Sequence, residues 1–261
     1  MMNAIDELFQ RGKKNILSIY FTAGFPKLND TVSIISTLEK AGVDMIEIGM
    51  PFSDPLADGP VIQESSRVAL ENGMNIKFLF EQLGNSRFKS QESRLPLLLM
   101  GYLNPVMQFG IENFCREANK VGIGGIIIPD LPMEVYLKEY KSIFEKYNLR
   151  NIFLITPQTS EERIRFIDEN SNGFIYMVSS ASTTGVKNGI DEEKENYFSR
   201  IQKMNLKNPL IIGFGISDRK SFSKACEYAN GAIIGTAFIK QLEIENTSLS
   251  TEKFVNEIKS A

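Results

Sequence analysis

Two carboxylates, Glu47 and Asp58, are the side chains best placed for acid–base chemistry. Glu47 lies between two isoleucines in an apolar run, and Asp58 follows eleven residues later in a proline-rich loop. Burying a carboxylate is costly unless it is protonated or paired, so we expect burial to raise the pKa of Glu47. A raised pKa makes a carboxyl group a usable general acid near neutral pH, while a second carboxylate in a polar loop stays ionised. The alternative is a strand-end glutamate that faces water.

The composition narrows this chemistry. The chain has 261 residues, of which 43% are hydrophobic and none is histidine. Without histidine, Ser-His-Asp and Cys-His mechanisms and most transition-metal sites are excluded, which leaves Asp, Glu, Lys, Tyr and Cys as acid–base groups. The net charge is −3 and no cluster of lysine or arginine stands out, so we expect no nucleic-acid partner. No apolar run approaches the ~18 residues that a membrane span requires.

The cysteines and the N-terminus indicate where the protein resides. Cys115 and Cys226 both lie in helical patterns among polar residues. Two unpaired thiols are typical of a reducing cytosol, so we expect a cytoplasmic protein without a disulfide. The spacing of apolar residues within 1–15 predicts an amphipathic helix there rather than a signal peptide.

Short apolar runs alternate with amphipathic segments along the whole chain. The runs number eight and cover residues 15–24, 45–52, 95–103, 122–132, 151–157, 173–180, 209–217 and 231–238. Their continuous apolar character is typical of strands covered on both faces, and the alternation indicates parallel strands joined by helices. We therefore predict an α/β fold, a (β/α)8 TIM barrel with an extra N-terminal helix, forming one domain over residues 1–261. A doubly wound sheet is the alternative.

The amphipathic segments carry helix-capping signals. The clearest segments are 30–42, 134–147, 160–170 and 219–230. Asn29-Asp30, Thr159-Ser160 and Asp218 stand at the starts of three of them, and we predict that these residues cap the helices.

In such a barrel the active site lies at the carboxyl ends of the strands. Glu47 and Asp58 belong to the second strand and the loop that leaves it. Other candidate residues at strand ends are Thr22, Tyr102, Asp130 and Tyr176. Asp130 is equally suited to a cap or a turn, and the two tyrosines to packing at the rim. Asp54, in a Ser-Asp-Pro turn, is expected to hold the loop rather than to react.

Glycines mark the ends of the last three strands. They occur in TTGVKNG at 183–189, in GFGIS at 213–217 and in GT at 235–236. Backbone N–H groups exposed by such glycines, together with a helix N-terminus, form an anion site, and barrels often bind phosphate in these loops. The alternative is that the glycines only allow the strands to turn.

A longer pattern resembles a known family. The segment EIGMPFSDPLADGP at 47–60 resembles the signature of tryptophan synthase alpha chains. The resemblance continues through YFTAGFP (20–26), PLLLMGYLNP (96–105), IPDLP (128–132), STTG (182–185), GFGIS (213–217) and GTA (235–237), and so covers nearly the whole chain.

This resemblance implies a lyase that cleaves indole-3-glycerol phosphate to indole and glyceraldehyde 3-phosphate. It implies that Glu47 and Asp58 are the acid–base pair and that no metal or organic cofactor is needed. By position, it implies phosphate binding by Gly185, Gly215, Gly235 and Thr236. It also implies a pocket lined or supported by Phe21, Thr22, Tyr102, Tyr176 and Thr184.

The resemblance further implies a partner, a beta chain that joins indole to serine with pyridoxal phosphate in an α2β2 complex. We expect the loops at 50–60 and 181–190 to close over substrate when that partner binds. Ser180 stands where the family often has arginine, Thr156 where it often has alanine, and STTG where it often has GVTG. Two alternatives are another phosphate-binding barrel enzyme, such as an aldose–ketose isomerase, and a non-catalytic activator of a beta-type partner.

Overall fold

Eight parallel strands close into a barrel in which each strand pairs with its neighbours in chain order and β8 pairs with β1. The computed structural model describes residues 2–10, 12–86, 95–178, 192–246 and 248–259. The strands are β1 Ile16–Thr22, β2 Met45–Gly49, β3 Leu97–Met100, β4 Ile123–Ile127, β5 Arg150–Ile155, β6 Ile175–Val178, β7 Leu210–Gly213 and β8 Gly231–Ile234. The predicted TIM barrel is confirmed, and the closed strand order rules out a doubly wound sheet.

Burial on both strand faces explains the continuous apolar runs. Every residue of β1, β2, β4, β6 and β8 is buried. Inward side chains fill the barrel, whereas outward side chains pack beneath the surrounding helices.

The helices follow the strands as predicted. Their bounds are α1 Ala4–Gln10, α2 Thr31–Lys40, α3 Pro60–Glu71, α4 Ile76–Gly84, α5 Leu103–Phe109, α6 Ile111–Lys120, α7 Met133–Val135, α8 Lys141–Lys146, α9 Glu161–Asn170, α10 Glu192–Lys203, α11 Arg219–Cys226, α12 Thr236–Ile244 and α13 Ser248–Lys259. A π-helical turn at Tyr136–Tyr140 joins α7 to α8. None of the helices in the described ranges is long and apolar enough to cross a bilayer.

Two of the three predicted helix caps are confirmed. Ser160 accepts a hydrogen bond from the backbone N–H of Arg163, and Asp218 forms a reciprocal capping box with Ser221. The prediction for Asp30 is wrong, because that residue has a helical backbone conformation and its side chain makes no cap bond. Its carboxylate instead accepts a hydrogen bond from Asn246 at 2.7 Å.

Helix α1 lies against the amino ends of the strands. Asn3 Nδ2 donates to the carbonyl of Gly124 at 2.8 Å and to that of Asn148 at 2.7 Å. Next to it, Arg150 at the start of β5 donates to Asp6. The extra helix therefore packs at the amino ends of β4 and β5, opposite the end where the carboxylates were predicted.

Both cysteines are free thiols, as expected: Cys115 is buried in α6 and Cys226 is half-buried at the end of α11.

Candidate active site

Glu47 lies in the middle of β2, between Tyr20 on β1 and Leu98 on β3. Its side chain is fully buried, and Ser18 Oγ donates a hydrogen bond to Oε1 at 3.0 Å. Its other oxygen, Oε2, is buried and has no hydrogen-bond partner among the described residues. Burial raises the pKa of Glu47 to about 8, although the bond from Ser18 opposes the rise. The carboxyl is therefore protonated at neutral pH.

Asp58 lies half-buried in the loop between β2 and α3. Tyr102 Oη donates to Asp58 Oδ2 at 3.0 Å and itself accepts a hydrogen bond from the backbone N–H of Ala57, also at 3.0 Å. The Gln63 amide donates to the Asp58 carbonyl at 2.8 Å. Burial raises the pKa of Asp58, and the bond from Tyr102 opposes that rise. Tyr102 thus holds both the backbone of the loop and the Asp58 carboxylate by hydrogen bonds. Its role therefore differs from the alternative of packing at the rim.

Tyr20 is a cleft residue that the sequence analysis missed. Its ring lines the cleft that holds Asp58. A β-carbon added to Gly49 would collide with the Tyr20 hydroxyl, and one added to Gly235 would lie 3.2 Å from the Tyr20 ring. Because successive strand residues point to opposite faces, Phe21 points away from the barrel interior. The structure therefore brings Tyr20, rather than the predicted Phe21, to the cleft.

Thr22, the last residue of β1, contacts the helix that follows the Asp58 loop. Its Oγ1 lies 2.7 Å from the hydroxyl of Ser65 in α3, and Ser65 Oγ donates to the carbonyl of Ile62 at 2.9 Å. The end of β1 is thereby tied to the helix that begins two residues after Asp58.

Tyr176 on β6 faces the interior of the barrel and is buried. Its hydroxyl occupies the space beside Gly213, where a β-carbon would collide with it. Burial raises the pKa of Tyr176 well above its usual value, and Glu47, which is ionised at the high pH where a tyrosine titrates, adds to the rise. Tyr176 therefore stays neutral. It lies inside the barrel near Glu47, and not at the rim.

The other two acidic candidates have structural roles. Both carboxylate oxygens of Asp130 accept a hydrogen bond from the backbone N–H of Leu103, at 2.9 and 3.2 Å. Asp130, in the loop after β4, thus caps the start of α5, the helix that begins immediately after Tyr102. Asp54 is exposed and accepts a hydrogen bond from the neighbouring Ser53, consistent with a turn-holding role.

Three of the predicted phosphate-binding residues lie at the carboxyl ends of β7 and β8. Gly215 is exposed and has a φ of 75°, a conformation that favours glycine. Gly235 is the N-cap of α12 and Thr236 is its first residue, so backbone N–H groups of that helix start face the mouth. The remaining predictions, Thr184 and Gly185 with Ser180 and the loop at 181–190, lie outside the described residues.

Thr156, at the position where the resemblance leads one to expect alanine, forms a local turn with Thr159. The Thr156 backbone N–H donates to Thr159 Oγ1 at 2.9 Å, and the two hydroxyls lie 3.2 Å apart. This turn stabilises the end of β5.

The cleft at Asp58 is narrow, and most of the residues that line it are apolar or aromatic. Its lining residues are Tyr20, Met50, Phe52, Asp58, Ser66, Met100, Gly101, Tyr102 and Pro129. Phe52 and Tyr102 pack in a tilted arrangement with ring centroids 5.1 Å apart, which gives the cleft an aromatic wall. An apolar slot with a carboxylate at its edge is suited to a flat aromatic ring that carries an N–H group.

A larger cavity of about 370 Å³ lies elsewhere, lined by Asn29, Val32, Phe78, Glu81, Gln82, Asn85 and Ser86. These residues belong to α2, α4 and their flanks rather than to strand ends, so size alone does not identify the reactive site. No cluster of three His, Cys, Asp or Glu suited to a metal ion occurs in the described part of the chain.

Comparison with known proteins decides the family. The sequence matches the family model for the tryptophan synthase alpha chain over residues 6–260. The chain belongs to the tryptophan synthase alpha chain family. It is 62% identical over 257 residues to the tryptophan synthase alpha chain of Flavobacterium psychrophilum, covering 98% of this chain and 100% of the relative. It is 56% identical over 260 residues to that of Bacteroides thetaiotaomicron, covering 100% and 99%.

Solved structures of tryptophan synthase alpha chains share the fold. The crystal structure of tryptophan synthase subunit alpha from Legionella pneumophila str. Paris superposes with a TM-score of 0.86 at 33% identity. The match covers 99% of this chain and 97% of that one. The resemblance found in the sequence is therefore confirmed for the family and for the barrel.

Proposed function

We propose that this chain is the lyase that cleaves indole-3-glycerol phosphate, with Glu47 as the acid–base residue and Asp58 as its electrostatic partner. One observation carries the proposal: a buried carboxyl with a raised pKa, Glu47, lies on the strand that leads to a second, hydrogen-bonded carboxylate at an aromatic-walled cleft. Membership in the tryptophan synthase alpha chain family supports the substrate and the reaction.

The first step breaks the O–H bond of Glu47 and forms a C–H bond at indole C3. The ring becomes a positively charged indolenine, which makes it a competent leaving group. Asp58 accepts a hydrogen bond from the indole N–H and stabilises the positive charge. Glu47 is fully buried, so the transfer requires bound substrate to reach its carboxyl group inside the barrel. Catalytic hydrogen bonds of this kind commonly tighten only once substrate is bound.

The second step returns the proton. The Glu47 carboxylate takes the proton of the hydroxyl group on the carbon attached to C3. The bond between that carbon and C3 breaks, its electron pair returns to the ring, and an aldehyde and neutral indole form. Glu47 ends protonated as it began, so the cycle balances without an oxidant, a metal or an organic cofactor.

The substrate phosphate is placed at Gly215, Gly235 and Thr236, and the family pattern adds Gly185. Support comes from the positive φ of Gly215 and from the start of α12, where the first backbone N–H groups and the helix dipole favour an anion. Tyr20, whose ring lies between Gly235 and the Asp58 cleft, forms the floor between the phosphate and the indole ring.

The family assignment supports a beta chain as the partner that receives indole, in an α2β2 complex. Leu56 in the Asp58 loop is 86% exposed and Met107 on α5 is 53% exposed, so apolar side chains are available beside the mouth. A cytoplasmic location fits the two free thiols. The single-domain organisation over residues 1–261 also remains part of the proposal.

The deciding experiment is to add indole-3-glycerol phosphate to the purified chain and to measure free indole. Release of indole that disappears in Glu47→Gln supports the lyase. No indole release, combined with stimulation of a beta chain, would show a non-catalytic activator instead. Isomerisation of a phosphorylated sugar without indole release would show a different barrel enzyme.

A further inference from the structure

Ser18 provides the one hydrogen bond that the structure shows to the Glu47 carboxyl. It lies on β1, two residues before Tyr20, and is fully buried together with Glu47. Ser18 Oγ donates to Oε1 at 3.0 Å, whereas Oε2 has no hydrogen-bond partner among the described residues. The two oxygens of the proposed acid are therefore in different environments.

This difference decides where the proton sits. A protonated carboxyl group has one O–H donor oxygen and one acceptor oxygen, and a serine hydroxyl carries a single proton. When Ser18 donates to Oε1, that oxygen is the acceptor and the carboxyl proton belongs on Oε2. We propose that Ser18 is a positioning residue, whose hydroxyl engages Oε1 and thereby places the transferable proton on Oε2. This inference rests on the proposed lyase function, in which Oε2–H is the bond that breaks when indole C3 is protonated.

The groups around Glu47 allow the effect of Ser18 on its pKa to be separated from the effects of other titratable groups. The titratable groups close enough to interact with Glu47 are Tyr20 on β1 and Tyr176 on β6, both of which also interact with Asp58, and β3 presents the apolar Leu98. Burial raises the pKa of both tyrosines, so they stay neutral over the working pH range. Burial also raises the pKa of Glu47, and the bond from Ser18 is the influence that lowers it.

Kinetics of Ser18→Ala test the proposal. Removing the hydroxyl should raise the pKa of Glu47 further, so the alkaline limb of the kcat–pH profile moves upward by about one unit. We also expect kcat at neutral pH to fall about tenfold with KM nearly unchanged, because Ser18 acts through Glu47 and does not touch substrate. Ser18→Thr keeps a hydroxyl and should restore the profile.

Ser171→Ala is the matched control. It removes a buried serine hydroxyl that has no hydrogen-bond partner among the described residues, far along the chain at the end of α9. It should leave both kcat and the pH profile unchanged. A Ser18→Ala profile identical to wild type, or a change confined to KM, would overturn the proposal.

Infrared difference spectroscopy tests the proton placement without turnover. The C=O stretch of protonated Glu47 is assigned as the band lost in Glu47→Gln, recorded below pH 7. A carbonyl that accepts a hydrogen bond absorbs at lower frequency, so Ser18→Ala should shift this band upward. An unshifted band would overturn the proposal, because it would mean that Oε1 carries the proton and donates to Ser18. A shifted band without any indole release would keep the proton placement and refute the lyase, so the two failures are distinguishable.

Discussion

Glu47 and Asp58 belong to one strand and the loop that leaves it, yet the barrel interior encloses the first whereas the loop leaves the second partly exposed. Glu47 is fully buried and, among the described residues, its carboxyl has a single hydrogen bond, from Ser18. Asp58 is half-buried and is held by a tyrosine that also binds the backbone of the same loop. Desolvation is the larger influence on the pKa of both groups: it raises the pKa of Glu47 to about 8, and it raises the pKa of Asp58 against the opposing bond from Tyr102.

This contrast shows how one connection supplies two chemical roles. A carboxyl that loses its water and gains one hydrogen bond keeps its proton at neutral pH and serves as an acid. A carboxylate that keeps a strong donor beside it is better able to ionise and to stabilise positive charge. Substitution of the buried Glu47 should therefore cost more activity than substitution of Asp58 in the loop.

Glu47→Gln should have the largest effect. It keeps the shape of the side chain but removes the transferable proton, so kcat for indole release should fall by ~10²–10⁴. Circular dichroism should show an unchanged fold. Glu81→Gln is the control, since Glu81 is an exposed glutamate that lines the larger cavity. Activity at roughly a tenth of wild type or above would remove Glu47 from the mechanism.

Asp58→Asn should lower kcat by about 10²-fold, because the amide is neutral and cannot stabilise the indolenine charge. Tyr102 can still donate to the amide oxygen, so the loop should keep its position. Asp54→Asn, in the exposed turn four residues earlier, is the matched control and should stay near wild type. Full activity in Asp58→Asn would move the electrostatic role to another group.

Gly215→Val should raise KM about tenfold or more, since a side chain there blocks the approach of backbone N–H groups to phosphate. Gly42→Val controls for backbone strain, because Gly42 also has a positive φ, of 83°, and lies just past α2, away from the strand ends. Both variants should lose stability in thermal melts, but only the first should lose affinity and weaken competition by inorganic phosphate. An equal KM for the two variants would place the phosphate elsewhere.

Tyr102→Phe should have the smallest effect, a fall in kcat of about fivefold from the lost hydrogen bonds. The bond from Tyr102 lowers the pKa of Asp58, so its removal raises that pKa. Because the mechanism needs ionised Asp58, the acidic limb of the pH profile should move to higher pH. Tyr147→Phe removes a similar tyrosine–carboxylate bond on the surface, to Glu112, and should leave the profile unchanged. A limb that does not move would show that Tyr102 only packs.

Most of the fold was predictable because it depends on local patterns. Continuous apolar runs report strands buried on both faces, and the observed strands lie within or at the edges of the predicted runs. Asp30 shows the limit, since its residue type suits a cap but its backbone conformation prevents one. A residue type predicts a possible partner, whereas the backbone angles decide whether the side chain reaches it.

The two carboxylates of the site were predictable from the sequence, whereas the side chains that surround them and bond to them were less so. Motif matching placed the pocket at Phe21, but strand alternation turns Tyr20 to the cleft instead. Tyr20 and Glu47 are register partners on neighbouring strands, so both side chains point to the same side of the sheet. A catalytic role for Glu47 therefore also indicates that Tyr20, and not Phe21, faces the site. That register, like the bonds from Ser18 and Tyr102, joins residues far apart in the chain, and no local sequence pattern reveals it.

The pKa of Glu47 tests the central claim most directly. We expect ¹³C NMR of protein labelled at the glutamate side-chain carboxyl, with Glu47→Gln as the assignment control, to follow its titration between pH 4 and pH 10. If burial makes Glu47 the acid, its carboxyl should titrate with an apparent pKa of about 8 and remain protonated through neutral pH. A titration near 4.5, its ordinary value, would contradict the account, because Glu47 would then be ionised when the indole ring needs a proton.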